Sequence, residues 1–290
     1  MRKKIMLPDG IITADGIITG NLGIGTWYMG DSSSARKEEI ECIRYAIDNG
    51  VNLIDTAEMY GNGNSEYLVG EAIKRYDRDS LFIVSKVLPS NAGRNRIFQS
   101  CENTLKRLGT DYLDMYLLHW RGIVPLDETI ECMEELKASG KIKRWGVSNM
   151  DIDDMFEITH AAKGDQCQVN QVLYHLGSRG IEYSLKPFTD FRNIPTMAYC
   201  PLAQGGRLKD KLLRSKSVAK ISEKYGISPI QGLLCFTLSQ ENMISIPKAS
   251  KLKHMKENIQ CLDIKLDEED MKLLNSEFPA PNRKIPLDIE

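Results

Sequence analysis

Three apolar runs in this chain end on residues that are costly to bury. NLID closes on Asp55, with Tyr60 five positions later in IDTAEMYGNGNSE; LFIVSK closes on Lys86; YLDMYLLH closes on His119, followed by Trp120. Singly, each has an ordinary reading: a solvated rim lysine, a satisfied structural imidazole, an aspartate capping a turn, and a tyrosine that alone means nothing. Together, a carboxylate, an ammonium and an imidazole at the same end of neighbouring buried segments must satisfy one another. A phenol titrates near pH ~10, a nearby ammonium favours the phenolate, and a carboxylate paired with that ammonium fixes its place. Bringing the phenol down by about three units takes roughly 4 kcal/mol of differential stabilisation. The set predicts Tyr60 as general acid, Lys86 and Asp55 as its tuning pair, and His119 as a donor orienting a carbonyl oxygen. It contains no metal ligands and no activated Ser or Cys. Such a group polarises and protonates a carbonyl, and whatever attacks the carbon comes from elsewhere.

The elements that must hold these residues are legible as a repeat. Eight short apolar runs begin at Leu22, Asn52, Leu81, Tyr112, Lys141, Gln166, Pro195 and Met243, and the first seven starts are about 30 residues apart. Charged, helically patterned segments such as RKEEIECIRYAIDNG and DETIECMEELKASG lie between them, several ending in Gly. Eight strand–helix units with strands buried on both faces predict an α/β (β/α)8 TIM barrel over residues 1–290 as one domain; a doubly wound sheet of six or seven strands is the competing architecture. Residues just past the strand C-termini of such a barrel face its active site. Two Asp-Gly pairs, Asp9-Gly10 and Asp15-Gly16, predict an N-terminal β-hairpin over 5–19. The long interval before the last strand holds two helical patterns, Ser217–Tyr225 and Pro229–Gln240, and so an extra helix. The tail after Phe278 is Pro-rich and irregular.

Composition removes several classes of function. Among 290 residues, 38 Lys and Arg against 40 Asp and Glu leave a net charge of −2, no basis for binding nucleic acid or an anionic membrane. Neither a membrane span nor a signal-peptide core is present in the apolar runs. Seven cysteines without a Cys-x-x-Cys pair argue against a disulfide framework or a zinc site and for reduced thiols in a cytoplasmic protein. Gly20, Gly23 and Gly25 have the wrong order for a Rossmann fingerprint.

The tetrad Asp55, Tyr60, Lys86 and His119, in this spacing and strand placement, resembles the aldo-keto reductases. The resemblance runs over essentially the whole chain, through GIGTW, GVSN, NQVLYH, YCPLAQGG and IPKASKLKHMKEN in order. GTWYMGD, LLHWRG and NQVLYHLGSRGIEY are similar to the bacterial methylglyoxal reductase branch. It implies a (β/α)8 barrel opened by a hairpin, reducing aldehydes and some ketones with a nicotinamide cofactor as hydride donor, and a small-molecule carbonyl substrate such as methylglyoxal. It further implies that Gly25, Thr26 and Asp55 border the cofactor, that Ser148, Asn149 and Gln171 hold the carboxamide, and that Tyr199 stacks on the nicotinamide. The stretch Pro201–Leu208, including Leu202, Gln204 and Gly205, wraps the pyrophosphate, with Cys200 beside it; Lys248, Ala249, Ser250 and His254 face the adenosine phosphate, and Glu257 and Asn258 the adenine. Trp27 and Trp120 wall the substrate pocket beside Tyr60 and His119. Three positions depart from the common pattern: Ala249 where many members have Ser, His254 where many have Arg, and Cys200 where Ser is frequent. Arginine grips phosphate bidentately whereas His is largely neutral at pH 7; Lys251 and Lys253 are the compensating cations. NADPH is the expected cofactor, with NADH use left open, and a monomer or weak homodimer is expected. Two rival readings are a nucleotide-sensing regulatory subunit with little turnover, and a barrel lyase using Lys86 as a Schiff base.

Overall fold

All eight apolar runs become parallel strands in the computed structural model, which describes residues 21–289 together with the backbone of Met6–Leu7 and Gly10–Ile11. Those two short segments, β1 and β2, pair antiparallel, Met6 opposite Ile11. They are the described part of the expected hairpin; the second Asp-Gly pair lies outside the described residues. The barrel strands are β3 (Ile24–Gly25), β4 (Leu53–Asp55), β5 (Phe82–Val87), β6 (Met115–Leu118), β7 (Trp145–Ser148), β8 (Cys167–Leu173), β9 (Thr196–Tyr199) and β10 (Met243–Ser245). They form one parallel sheet in sequence order. The ends meet through parallel bridges Leu22–Ser245 and Gly25–Lys248, with Gly23 N donating to Ser245 O at 2.8 Å and Gly25 N to Pro247 O at 3.1 Å. The sheet is thereby closed, and the barrel prevails over the open doubly wound sheet.

Helices α1 (Arg36–Asp48), α2 (Asn64–Ile73), α3 (Ile97–Leu108), α4 (Leu126–Ala138), α5 (Ile152–His160) and α6 (Leu185–Phe191) follow β3 to β8 one by one. Three helices precede β10: α7 (Gly206–Leu213), α8 (Lys216–Tyr225) and α9 (Pro229–Leu238). Both predicted patterns are present as α8 and α9, but α7 is additional, because the second half of the segment read as a wrapping loop winds into a helix. Residues Gln231–Leu238 of α9 are buried throughout, since that helix packs directly on the barrel under α8. After β10, α10 (Leu252–Gln260) completes the ring, and α11 (Glu268–Glu277), for which the sequence reading makes no provision, lies on α8.

Strand alternation divides the core in two. Leu53, Phe82, Val84, Met115, Leu117, Val169, Met197, Ile244 and Ile246 fill the barrel interior as one cluster. Their neighbours, such as Ile54, Ile83, Tyr116 and Val147, belong to the cluster under the helices. Two residues beyond the last inward apolar side chain of a strand comes the barrel mouth. That rule places Asp55 above Leu53, Lys86 above Val84, His119 above Leu117, Gln171 above Val169, Tyr199 above Met197 and Lys248 above Ile246.

Closure of the sheet rests on a residue without a side chain. A Cβ on Gly25 would stand 2.6 Å from the Ile246 carbonyl oxygen. Gly25→Ala is expected to lose about 1–3 kcal/mol of unfolding free energy in urea titrations, the usual cost of overpacking. Gly205→Ala, where a Cβ meets nothing within 4 Å, is the control expected to leave stability unchanged.

Candidate active site

The three inward residues from β4, β5 and the end of β6 meet at the mouth. Lys86 is 0% exposed, and its Nζ donates to Asp55 Oδ2 at 2.7 Å, to the Thr56 carbonyl at 2.8 Å and to Tyr60 Oη at 3.0 Å. All three ammonium hydrogens are used, which leaves no accessible amine for the Schiff-base chemistry considered above. Asp55 Oδ1 accepts from Gln171 Nε2 at 2.7 Å. Burial raises the Asp55 carboxyl and lowers the Lys86 ammonium, and their mutual contact opposes both effects. Tyr60, 9% exposed, opens a tight turn, Tyr60–Gly63, in which Gly61, Asn62 and Gly63 hold positive φ of 55°, 52° and 91°, and its ring lies over Lys86, with Nζ 4.7 Å from the ring centroid. The expectation of a phenol brought down toward neutrality does not hold. Burial first, and then the Asp55 carboxylate, push it well above its ordinary value.

His119 is buried beside them, its ring edge-on to Tyr60 at 5.8 Å and 74°. Burial, and then the Lys86 ammonium, lower its pKa to about 2, so the imidazole is neutral. Its Nδ1 has no hydrogen-bond partner among the described residues. A neutral ring has one donor and one acceptor nitrogen, and so can orient an incoming oxygen without carrying charge.

Asp55, Tyr60 and His119, with Lys86 buried behind them, line a pocket of about 130 Å³ with Gly25, Thr26, Trp27, Trp120, Ser148, Asn149, Gln171, Tyr199, Cys200 and Lys248. On one wall Tyr199 Oη donates to Asn149 Oδ1 at 2.9 Å, Asn149 Nδ2 to the His119 carbonyl at 3.1 Å, and Ser148 Oγ to the Gln171 carbonyl at 2.8 Å. Thr26 Oγ1 donates to the Asp55 carbonyl at 2.8 Å. Trp27 and Trp120 flank the opening, Trp27 6.4 Å from Tyr60 and Trp120 4.8 Å from His119 between ring centroids. Met59 and Ile246 complete the lining and were absent from the sequence reading. Strand alternation marks Ile246 as inward; nothing in the sequence singles out Met59, which sits in a turn.

The remaining candidates lie on two segments that leave the pocket wall. One runs from Cys200 through Pro201, Leu202 and Gln204 to Gly205; Cys200 and Ala203 have φ of 50° and 55°, a left-handed backbone uncommon outside glycine. Side-chain positions at Gly205 and Gly206 face open space. The other runs from Lys248, whose Nζ donates to Ser250 Oγ at 3.2 Å, into α10. Ala249 is buried and His254 exposed, and Asn258 is buried toward the ring of helices. Of the two lysines expected to compensate, Lys251 pairs with Glu38 at 2.7 Å and Lys253 faces Glu257 at 3.8 Å; both are exposed, and such surface pairs are weakly held. Among the described residues no cluster of His, Cys, Asp or Glu could hold a metal ion, and no helix is long and apolar enough to cross a membrane.

The sequence model of the aldo/keto reductase family matches residues 21–277. Methylglyoxal reductase YeaE of Escherichia coli (strain K12) is 48% identical over 289 residues, 100% of each chain. Glyoxal reductase of Bacillus subtilis (strain 168) is 33% identical over 272 residues, 93% of each. Among solved structures, an aldo-keto reductase from Klebsiella pneumoniae in complex with NADPH superposes with a TM-score of 0.94 at 45% identity, covering 100% of both chains.

Two measurements probe the charges. Lys86→Met strands a buried carboxylate and is expected to cost about 3–5 kcal/mol in urea unfolding; adding Asp55→Asn should recover much of that loss. His119 binds its proton less readily folded than unfolded, so its contribution is complete above about pH 6.5 and drains as pH falls toward its folded value. His119→Gln should make the fall of unfolding free energy between about pH 6 and 4 shallower by about 1.4 kcal/mol per pH unit.

Proposed function

Since the chain belongs to the aldo/keto reductase family, we propose that it reduces small aldehydes and ketones, 2-oxoaldehydes such as methylglyoxal foremost, with NADPH as reductant. The observation that carries the reading is the buried Lys86 ammonium, shared between Asp55 and the Tyr60 hydroxyl beside a neutral His119. The residues fit the cofactor. Ser148, Asn149 and Gln171 offer amide and hydroxyl groups to a carboxamide, and the Tyr199 ring offers a flat face. Open space at Gly205 and Gly206 suits close approach of a pyrophosphate, and Lys248 with Ser250 suits a phosphate. When bound, the reduced nicotinamide supplies hydride to the carbonyl carbon.

The chain's own residues handle the oxygen. His119 orients it with a ring N–H and adds no charge. The Tyr60 Oη–H gives its proton to that oxygen as negative charge develops there. A phenol above its usual range still does so, because an alkoxide is a far stronger base than a phenolate. The phenolate left behind sits 3.0 Å from the Lys86 ammonium, whose charge Asp55 anchors. Reprotonation of Tyr60 from solvent resets the site. Lys248 is the cation at the phosphate end, with exposed His254 where an arginine would grip; this supports a preference for NADPH that is modest, with NADH use measurable. A small pocket, lined by no residue of the 279–289 tail, favours small dicarbonyls. All these groups come from one chain, so a monomer suffices, and free thiols at all seven cysteines support a cytoplasmic site of action.

NADPH absorbance loss with methylglyoxal and nitrobenzaldehyde tests the reading. Tyr60→Phe is expected to lower kcat by about 10²–10⁴-fold, with NADPH affinity by fluorescence quenching held within about twofold. Comparable turnover in that variant removes the proton-donor role; no turnover by the native chain across a broad aldehyde panel removes the reductase reading.

A further inference from the structure

A second buried charge lies behind the wall that carries Lys86. Glu66, in the first turn of α2, is fully buried. Its Oε1 accepts from Ser85 Oγ at 2.6 Å and its Oε2 from Arg107 Nε of α3 at 2.5 Å. Ser85 immediately precedes Lys86 in β5, and by strand alternation faces outward where Lys86 faces inward. The carboxylate and the ammonium therefore flank one strand. Ser65, the neighbour of Glu66 and equally buried, accepts from Thr56 Oγ1 at 3.2 Å and donates to Thr26 Oγ1 at 2.8 Å. Thr56 is the residue whose carbonyl holds Lys86 Nζ. Arg107 also lies against the turn that carries Tyr60: a Cβ on Gly63, at φ of 91°, would stand 2.6 Å from Arg107 Cδ.

An ion pair is an expensive way to dock a helix, and apolar residues of similar volume often do it at lower cost. What a carboxylate adds is direction and charge. We infer that Glu66 is a positioning residue for the reduction, holding the β5 wall through Ser85 and the Tyr60 turn through Arg107, so that Lys86 stays charged against the phenol. The inference rests on the functional reading above. Lys86 is faced by Asp55 from β4, Tyr60 from its turn, His119 from the end of β6, and Glu66 from α2 behind the strand. Of these, Asp55 and Glu66 favour its ammonium form.

The test compares Glu66→Gln, which keeps shape and loses charge, with Glu66→Asp, which keeps charge. Lys86 is followed by NMR of ¹³C-labelled lysine, its resonance assigned by its loss in Lys86→Arg. In Glu66→Gln the Lys86 titration midpoint is expected to move to lower pH by about 0.5–1 unit, and kcat to fall about tenfold with aldehyde KM within about twofold. In Glu66→Asp the midpoint should return to the native value. A Glu66→Gln enzyme with native midpoint and kcat, less stable to heat and nothing more, overturns the inference. Should Glu66→Gln fail to fold, Ser85→Ala decides: kcat lowered about threefold at unchanged KM supports it, and a native kcat overturns it. A native chain that reduces no aldehyde sinks the reductase reading, while the lysine titration still decides whether Glu66 governs Lys86.

Discussion

A fully buried ammonium governs this barrel's architecture. Lys86 loses all its water, and its charge survives only because three oxygens replace that water at hydrogen-bond distance. Each oxygen comes from a different part of the chain's mouth: a carboxylate at the end of β4, the carbonyl just after it, and a phenol from the following turn. One side chain therefore ties together the end of β4, the residue after it and the Tyr60 turn. His119 is tied to the same constraint, since the ammonium beside it helps keep its ring neutral. The acid–base character of the site thus follows from burial first, with the Asp55 carboxylate acting on Tyr60 and the Lys86 ammonium on His119.

Much of this was written in the local pattern. Asp55, Lys86 and His119 are legible because each stands two positions past an inward apolar residue, and strand alternation carries parity from core to mouth. Ser148, Gln171 and Tyr199 obey the same parity, yet their types have innocent readings, and only the match of ordered motifs to a family drew attention to them. Three features were out of reach for physical reasons. The upward shift of Tyr60 depends on how much water is excluded, which three-dimensional packing decides. The pairing of Lys251 with Glu38 spans most of the chain, so the lysine cluster looked free in one dimension. Helix α7 begins at Gly206, inside a Gly-containing segment that reads as loop.

The rim shows a different economy from the walls. Tyr28, Asn149, Cys200 and Ala203 all hold φ between 50° and 61°, where side chains are uncommon. Asn149 and Cys200 line the pocket directly, and Tyr28 stacks on Trp27 at 4.6 Å. Backbone in that region bends sharply, letting a strand end turn aside and present its next side chain or amide to the cavity. Such conformations persist where surrounding contacts over-determine them, and they gather at functional sites.

The seam between β3 and β10 has a meaning for how the molecule comes into being. Strand β3 is two residues long and its partner arrives more than 200 positions later. During synthesis, therefore, the segments bearing Asp55, Lys86 and His119 are made long before the strand that closes the sheet. Only when Pro247 and Lys248 emerge can Gly25 be hydrogen-bonded and the exposed strand edges sealed. Lys248, bridged to Gly25, is placed by the same contacts that close the cylinder. The segments bearing Asp55, Lys86 and His119 are thus made early, and the strand that shuts the cylinder comes last.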